Sequence, residues 1–125
     1  MRLRLLDVPL ERDEGEYAYA GQLILQGVPP YRLACNMKLP GTYAAYSAIM
    51  AVFGQTPRGI HLGLLLVNVA TAVLLFFLGR RLFEDRTGAA AAAAFALLSL
   101  SQGVYGVFAH ATHFVILPAV AGALL

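Results

Sequence analysis

The chain has 125 residues, 59% of them hydrophobic and 13% charged, with a mean hydropathy of +0.69; soluble domains average about 45–50% apolar and about 25% charged. All nine basic and seven acidic residues lie within 2–58 or 80–86, and the charge-free runs 59–79 and 87–125 call for a hydrocarbon solvent, which excludes an ordinary soluble domain. A net charge of +2 without basic residues interleaved with aromatics gives no nucleic-acid surface, and a lone cysteine, Cys35, leaves no internal disulfide.

Residues 1–59 are polar enough for water or the membrane interface. Asp13 followed by Glu16 has capping-box spacing, which predicts a helix from 14 to about 26, stopped by Gly27 and Pro29-Pro30. Tyr17, Ala20, Gly21 and Ile24 share one face of it, a pattern suited to lying at an interface. Pro30 and Pro40 push their preceding residues out of the α region, so 29–39 is expected to be extended. Pro40 also suits a first helical position and opens a second helix that ends before Gly54. Its Tyr43, Tyr46, Met50 and Phe53 form a stripe fit for headgroup depth.

Thr56-Pro57 signals the next helix start, and the apolar run 60–78 would rise about 28 Å, close to a bilayer core of about 30 Å. A polar turn at 79–87 leads to a second span, 88–109, whose alanines at 89–94 suit close approach to a neighbouring helix. A third apolar run, 114–125, stops after about 18 Å. The expected fold is therefore all-α and polytopic. Residues 1–59 form an outer loop with two interfacial helices, and transmembrane helices follow at 60–79, 88–109 and an incomplete 114–125. Arg80, Arg81 and Arg86 border the tight loop and assign it to the cytoplasm, which puts 1–59 on the outer side.

The densest polar cluster is Arg12-Asp13-Glu14-Gly15-Glu16-Tyr17. It reads either as a helix N-terminus, where the macrodipole favours acids, or as a carboxylate base held at a membrane surface. Arg12 and Tyr17 flank the acids as candidates for substrate contact. Lys38 reads either as a phosphate ligand at headgroup level or as a snorkelling lysine. His61, His110 and His113 could ligate a metal with an acid from 13–16, or hydrogen-bond their neighbours at the interface. Asn68 suits an interhelical hydrogen bond, and Ser99 and Ser101 suit bonds back to their own helix carbonyls.

Taken in order, Arg12-Asp13-Glu14-Gly15-Glu16-Tyr17-Ala18-Tyr19, Gly27-Val28-Pro29-Pro30-Tyr31 and Asn36-Met37-Lys38-Leu39-Pro40-Gly41-Thr42-Tyr43 resemble the first outer loop of a membrane enzyme class. That class is the family 39 glycosyltransferases of GT-C type, kin of the protein O-mannosyltransferases and the lipid A aminoarabinose transferases. The resemblance extends through His110 to the end of the chain. It implies sugar transfer at the outer face of a bacterial inner membrane, from a polyprenyl-phosphate-sugar donor to a lipid, glycan or protein acceptor. By the same resemblance Asp13 is the catalytic base, Glu14 supports it, and Lys38 neutralises the lipid phosphate; His110 and His113 face the same outer cavity. The family's two prolines after the lysine are here Leu39 and Pro40. Asn36 and Met37 stand where some relatives carry an acid that helps hold a divalent metal, so no cofactor is assigned and a metal stays open. The family's greater length implies that this chain is an N-terminal fragment, inactive alone. The alternative is a small non-enzymatic membrane protein serving as an accessory or scaffold subunit.

Overall fold

A computed structural model describes residues 6–33, 39–101 and 108–125. Among them are five α-helices and no strand: α1 (Arg12–Leu25), α2 (Pro40–Phe53), α3 (Pro57–Leu82), α4 (Asp85–Leu98) and α5 (Ala111–Leu124). They fall into two units, one ending at Gly63 and the other beginning at Leu64.

In the first unit, α1 begins two residues before the expected start. Its N-cap is Glu11, and the capping box pairs Glu11 with Glu14 in place of Asp13 with Glu16. Both pairs have the same spacing, and the bond from the Glu11 amide to Glu14 Oε2 at 2.9 Å fixes the choice. The helix stops where Gly27 was expected to stop it. Gly27 adopts a φ of +80°, its amide donates to the Ile24 carbonyl, and the Val28 amide donates to the Leu23 carbonyl. This is a Schellman closure, and its left-handed residue is best tolerated as glycine.

The second helix, α2, has the expected bounds, with Pro40 in its first turn and Gly54 at φ +87° past its end. Its aromatic stripe takes a different role from the expected one. Tyr43, Tyr46 and Met50 are buried against α1, and only Phe53 of the four is exposed. Gly21 makes the approach possible: a Cβ there would stand 3.0 Å from the Ser47 amide nitrogen and 3.1 Å from Tyr46 Cβ. Burying rings against a helix already carrying Tyr17, Ala20 and Gly21 removes more apolar surface from water than headgroup contact would.

Thr56 caps α3, its hydroxyl accepting the Gly59 amide at 3.1 Å. The helix runs 26 residues, about 39 Å, and its most apolar window has a mean hydropathy of 2.4. Among the described residues it is the one helix long and apolar enough to cross a membrane.

In the second unit, α3 and α4 form a hairpin with a shorter turn than expected. The polar stretch 79–87 is largely helical, and only Phe83 and Glu84 separate the helices. Arg80 Nε meets Asp85 Oδ1 at 2.9 Å on the exposed side of the turn, an ion pair of little energetic weight. The helices touch at Gly79 and Gly88, whereas Ala89, Ala90, Ala93 and Ala94 are exposed. Glycine, lacking even a methyl, allows a closer backbone approach than the alanine run.

Of the expected span 88–109, residues 102–107 lie outside the described residues, and 88–98 fall in α4, a helix of 14 residues. At about 21 Å it is too short to cross. Its end is marked at Ser99, whose hydroxyl donates to the Ala96 carbonyl at 3.0 Å, while the Leu100 and Ser101 amides bond three residues back. Such local bonds compete with helix continuation. The last helix, α5, starts at Ala111, three residues before the expected apolar run, and also has 14 residues. The polytopic architecture thus reduces, among the described residues, to an all-helical chain with one helix of spanning length.

Candidate functional site

Glu14, Tyr17 and Gly21 recur on one face of α1, and that face turns inward. Tyr17 is fully buried, its ring 5.6 Å from that of Tyr46 and 6.2 Å from that of Tyr43. Tyr31, at a left-handed φ of 68°, sets its ring 5.9 Å from Tyr43 and stays partly exposed. Burial raises all three buried phenols above their ordinary range. Negative charge adds to it: Asp13, Glu16 and Glu11 at Tyr17, Glu16 at Tyr43, and Glu14 first among the acids at Tyr46.

The decisive arrangement is at Glu14, whose side chain has no solvent exposure. Its Oε1 lies 3.3 Å from His61 Nε2, and its Oε2 accepts the Glu11 amide. His61 is itself only 6% exposed, and its Nδ1 lies 3.1 Å from the Leu6 carbonyl oxygen. A carbonyl can only accept, so Nδ1 carries a proton and Nε2 faces the carboxyl group. A buried carboxyl group calls for a polar partner, and the His61 ring nitrogen 3.3 Å away supplies it. Three segments meet here: the entry residue Leu6, the first turn of α1, and the second turn of α3.

Asp13, next to Glu14, is half-buried in the first turn of α1, and Arg12 beside it is exposed. The two acids of the pair therefore have different surroundings, one reachable and one sealed. Their neighbour Tyr17, a candidate for substrate contact, sits wholly within the aromatic packing. Lys38, together with Cys35, Asn36 and Met37, lies outside the described residues.

Comparison with family models, curated proteins and solved structures finds no match.

The remaining candidates lie in the second unit. His110 is the N-cap residue of α5 and His113 lies in its first turn. His113 is buried, with Nδ1 3.0 Å from Asn68 Oδ1. Asn68 Nδ2 donates to the Leu64 carbonyl at 2.9 Å, which orients the amide and requires His113 Nδ1 to be the donor. Asn68 thus makes the interhelical hydrogen bond its mid-span position suggested. The same residue borders an apolar cavity of about 210 Å³ with Leu65, Val69, Ala72, Ala96 and Leu100.

Among the described residues no three His, Cys, Asp or Glu side chains group as metal ligands. Glu14 and His61 supply two, each already engaged on its other side, so the donor set does not fit a metal centre. The sequence sets His61 beside an acid from 13–16 only as co-ligands of a metal; it does not single out Glu14 or a direct pairing of the two. The signal available was weak: the apolar face through Tyr17 and Gly21, extended back by one heptad from Gly21, falls on Glu14, and a buried carboxylate demands a partner.

Proposed function

We propose that this chain carries the catalytic loop of a polytopic, GT-C-type membrane glycosyltransferase that uses a polyprenyl-phosphate-linked sugar. The observation that carries the reading is the division of the Asp13-Glu14 pair. Asp13 remains reachable at the start of α1, while Glu14 is sealed against His61. The ordered resemblance of 12–19, 27–31 and 36–43 to the family 39 outer loop supplies the reaction class.

Asp13 accepts the proton of an acceptor hydroxyl. The freed oxygen attacks the anomeric carbon from the face opposite the phosphate, the bond from that carbon to the phosphate oxygen breaks, and polyprenyl phosphate leaves. The sugar emerges bonded to the acceptor oxygen with inverted configuration. Lys38 offsets the negative charge that grows on the phosphate, where a fixed cation helps most. The outer side of a bacterial inner membrane is the proposed location, with α3 crossing the bilayer.

The test is transfer of labelled sugar from a polyprenyl-phosphate donor by membranes holding the complete gene product. Asp13→Asn should lower the rate about 100- to 10,000-fold, the range general bases contribute. Undiminished transfer removes Asp13 from the chemistry. A non-enzymatic scaffold role is favoured by one feature, the exposed apolar stripe Leu66, Val69, Val73 and Phe77 along α3. Cysteine cross-linking from that stripe into a second protein, with no transfer by any preparation, would select it.

A further inference from the structure

We propose that His61 is the positioning residue for Asp13: with Glu14 and the Leu6 carbonyl it forms a buried clamp on the first turn of α1. The proposal rests on the reading of Asp13 as general base.

The first turn of a helix is held loosely by its own backbone, because its leading amides have no intrahelical acceptors. In α1 that turn carries Asp13, and the helix supplies its own restraint through Glu14. One carboxyl oxygen holds the Glu11 amide and the other faces His61 Nε2. His61 then ties the assembly to Leu6, 55 residues away in sequence, through Nδ1. Glu14 and Asp13 are consecutive, so the orientation of the buried side chain fixes the peptide from which the reachable one projects. The surrounding charges do not compete for this role. Arg58 and Asp7, 4.0 Å apart, are both well exposed, and the buried Tyr46 phenol in α2 is kept neutral by burial first and by the Glu14 charge next. Removing one partner from a buried acid–imidazole pair leaves the other buried without its counterpart, which costs far more than losing a surface contact.

The experiment uses the complete gene product in lipid nanodiscs, with His61→Ala and the conservative His61→Gln, whose amide can still donate to Glu14. Backbone hydrogen exchange is read at the N-cap Glu11 and at Gly15 in α1, and at Tyr46 and Met50 in α2. Steady-state transfer is measured on the same samples. His61→Ala should speed exchange at Glu11 and Gly15 about 100-fold while leaving the α2 amides protected. It should lower kcat about 100-fold, as expected for a base displaced by about 1 Å, with the KM for the lipid-linked sugar unchanged. His61→Gln should restore part of both.

Unchanged exchange at Glu11 and Gly15 overturns the clamp, whatever happens to transfer. Faster exchange with an unchanged kcat overturns the positioning role. Equal acceleration throughout α1 and α2 in both variants also overturns it, since His61 would then support the whole unit. Absence of transfer by the unsubstituted protein defeats the glycosyltransferase reading separately, while the exchange data still decide the clamp.

Discussion

Gly88→Ala should loosen the α3–α4 hairpin, although alanine is the better helix former. A Cβ built on Gly88 would lie 2.4 Å from the Phe76 carbonyl oxygen and 3.0 Å from the Arg80 amide nitrogen. Ordinary contact begins near 3.4 Å, so the two backbones would have to part by about 1 Å at their crossing. The obstructing atoms belong to the backbone of α3, and no side chain can rotate out of the way. Overpacking of this kind costs about 1–3 kcal/mol, and the upper half of that range applies where nothing flexible yields. Against it stands a gain of about 1 kcal/mol from replacing glycine within a helix. The net expectation is a loss of about 1–2 kcal/mol. Gly15→Ala serves as the control, because nothing lies within 4 Å of the added carbon and its φ is not positive. It should stabilise by up to about 1 kcal/mol. Reversible unfolding in mixed micelles, followed by far-ultraviolet circular dichroism, reads both. If Gly88→Ala stabilises as much as Gly15→Ala does, the close crossing does not exist.

Stability should fall as the pH rises above the ordinary tyrosine value of 10.0, because the buried Tyr46 phenol is raised by burial first and by Glu14 next. The folded state keeps the neutral form, so its contribution is fully present below 10.0 and is lost in alkali; Tyr46→Phe should flatten that part of a stability–pH curve. Thr56→Ala removes the hydroxyl that accepts the Gly59 amide and should cost about 1 kcal/mol in unfolding free energy, whereas Thr56→Ser should cost much less. His113→Leu takes the donor from Asn68 Oδ1 and should destabilise by about 1–3 kcal/mol. Adding Asn68→Leu should recover most of that loss in a double-mutant cycle, and strictly additive costs would show that the two side chains are not coupled.

The differences between expectation and structure share a cause. The end of α1 at Gly27, the start of α2 at Pro40 and the cap at Thr56 each depend on residues within one turn of the boundary, and each was legible. The capping box was misplaced because Glu11/Glu14 and Asp13/Glu16 have identical spacing; choosing between them depends on which glutamate turns inward. The end of α4 at Leu98, inside the apolar run expected to continue to 109, has a related reason. Hydropathy counts apolar residues without sensing that Ser99 bonds back to Ala96 at the end of α4.

Composition and local pattern by themselves determined helical segments, both ends of α2, the end of α1, the start of α3, and that α3 is apolar and long enough to cross a bilayer, because propensity, capping and turn formation act over a few residues. Tertiary structure alone decided which acid of the Asp13-Glu14 pair is sealed, that the Tyr43–Tyr46 stripe faces α1, and that His61 completes Glu14 while His113 completes Asn68. These outcomes join residues 26 to 47 positions apart, and no local periodicity encodes such partners. They follow from the cost of burying a polar group alone, which is met only when the fold brings its counterpart to it.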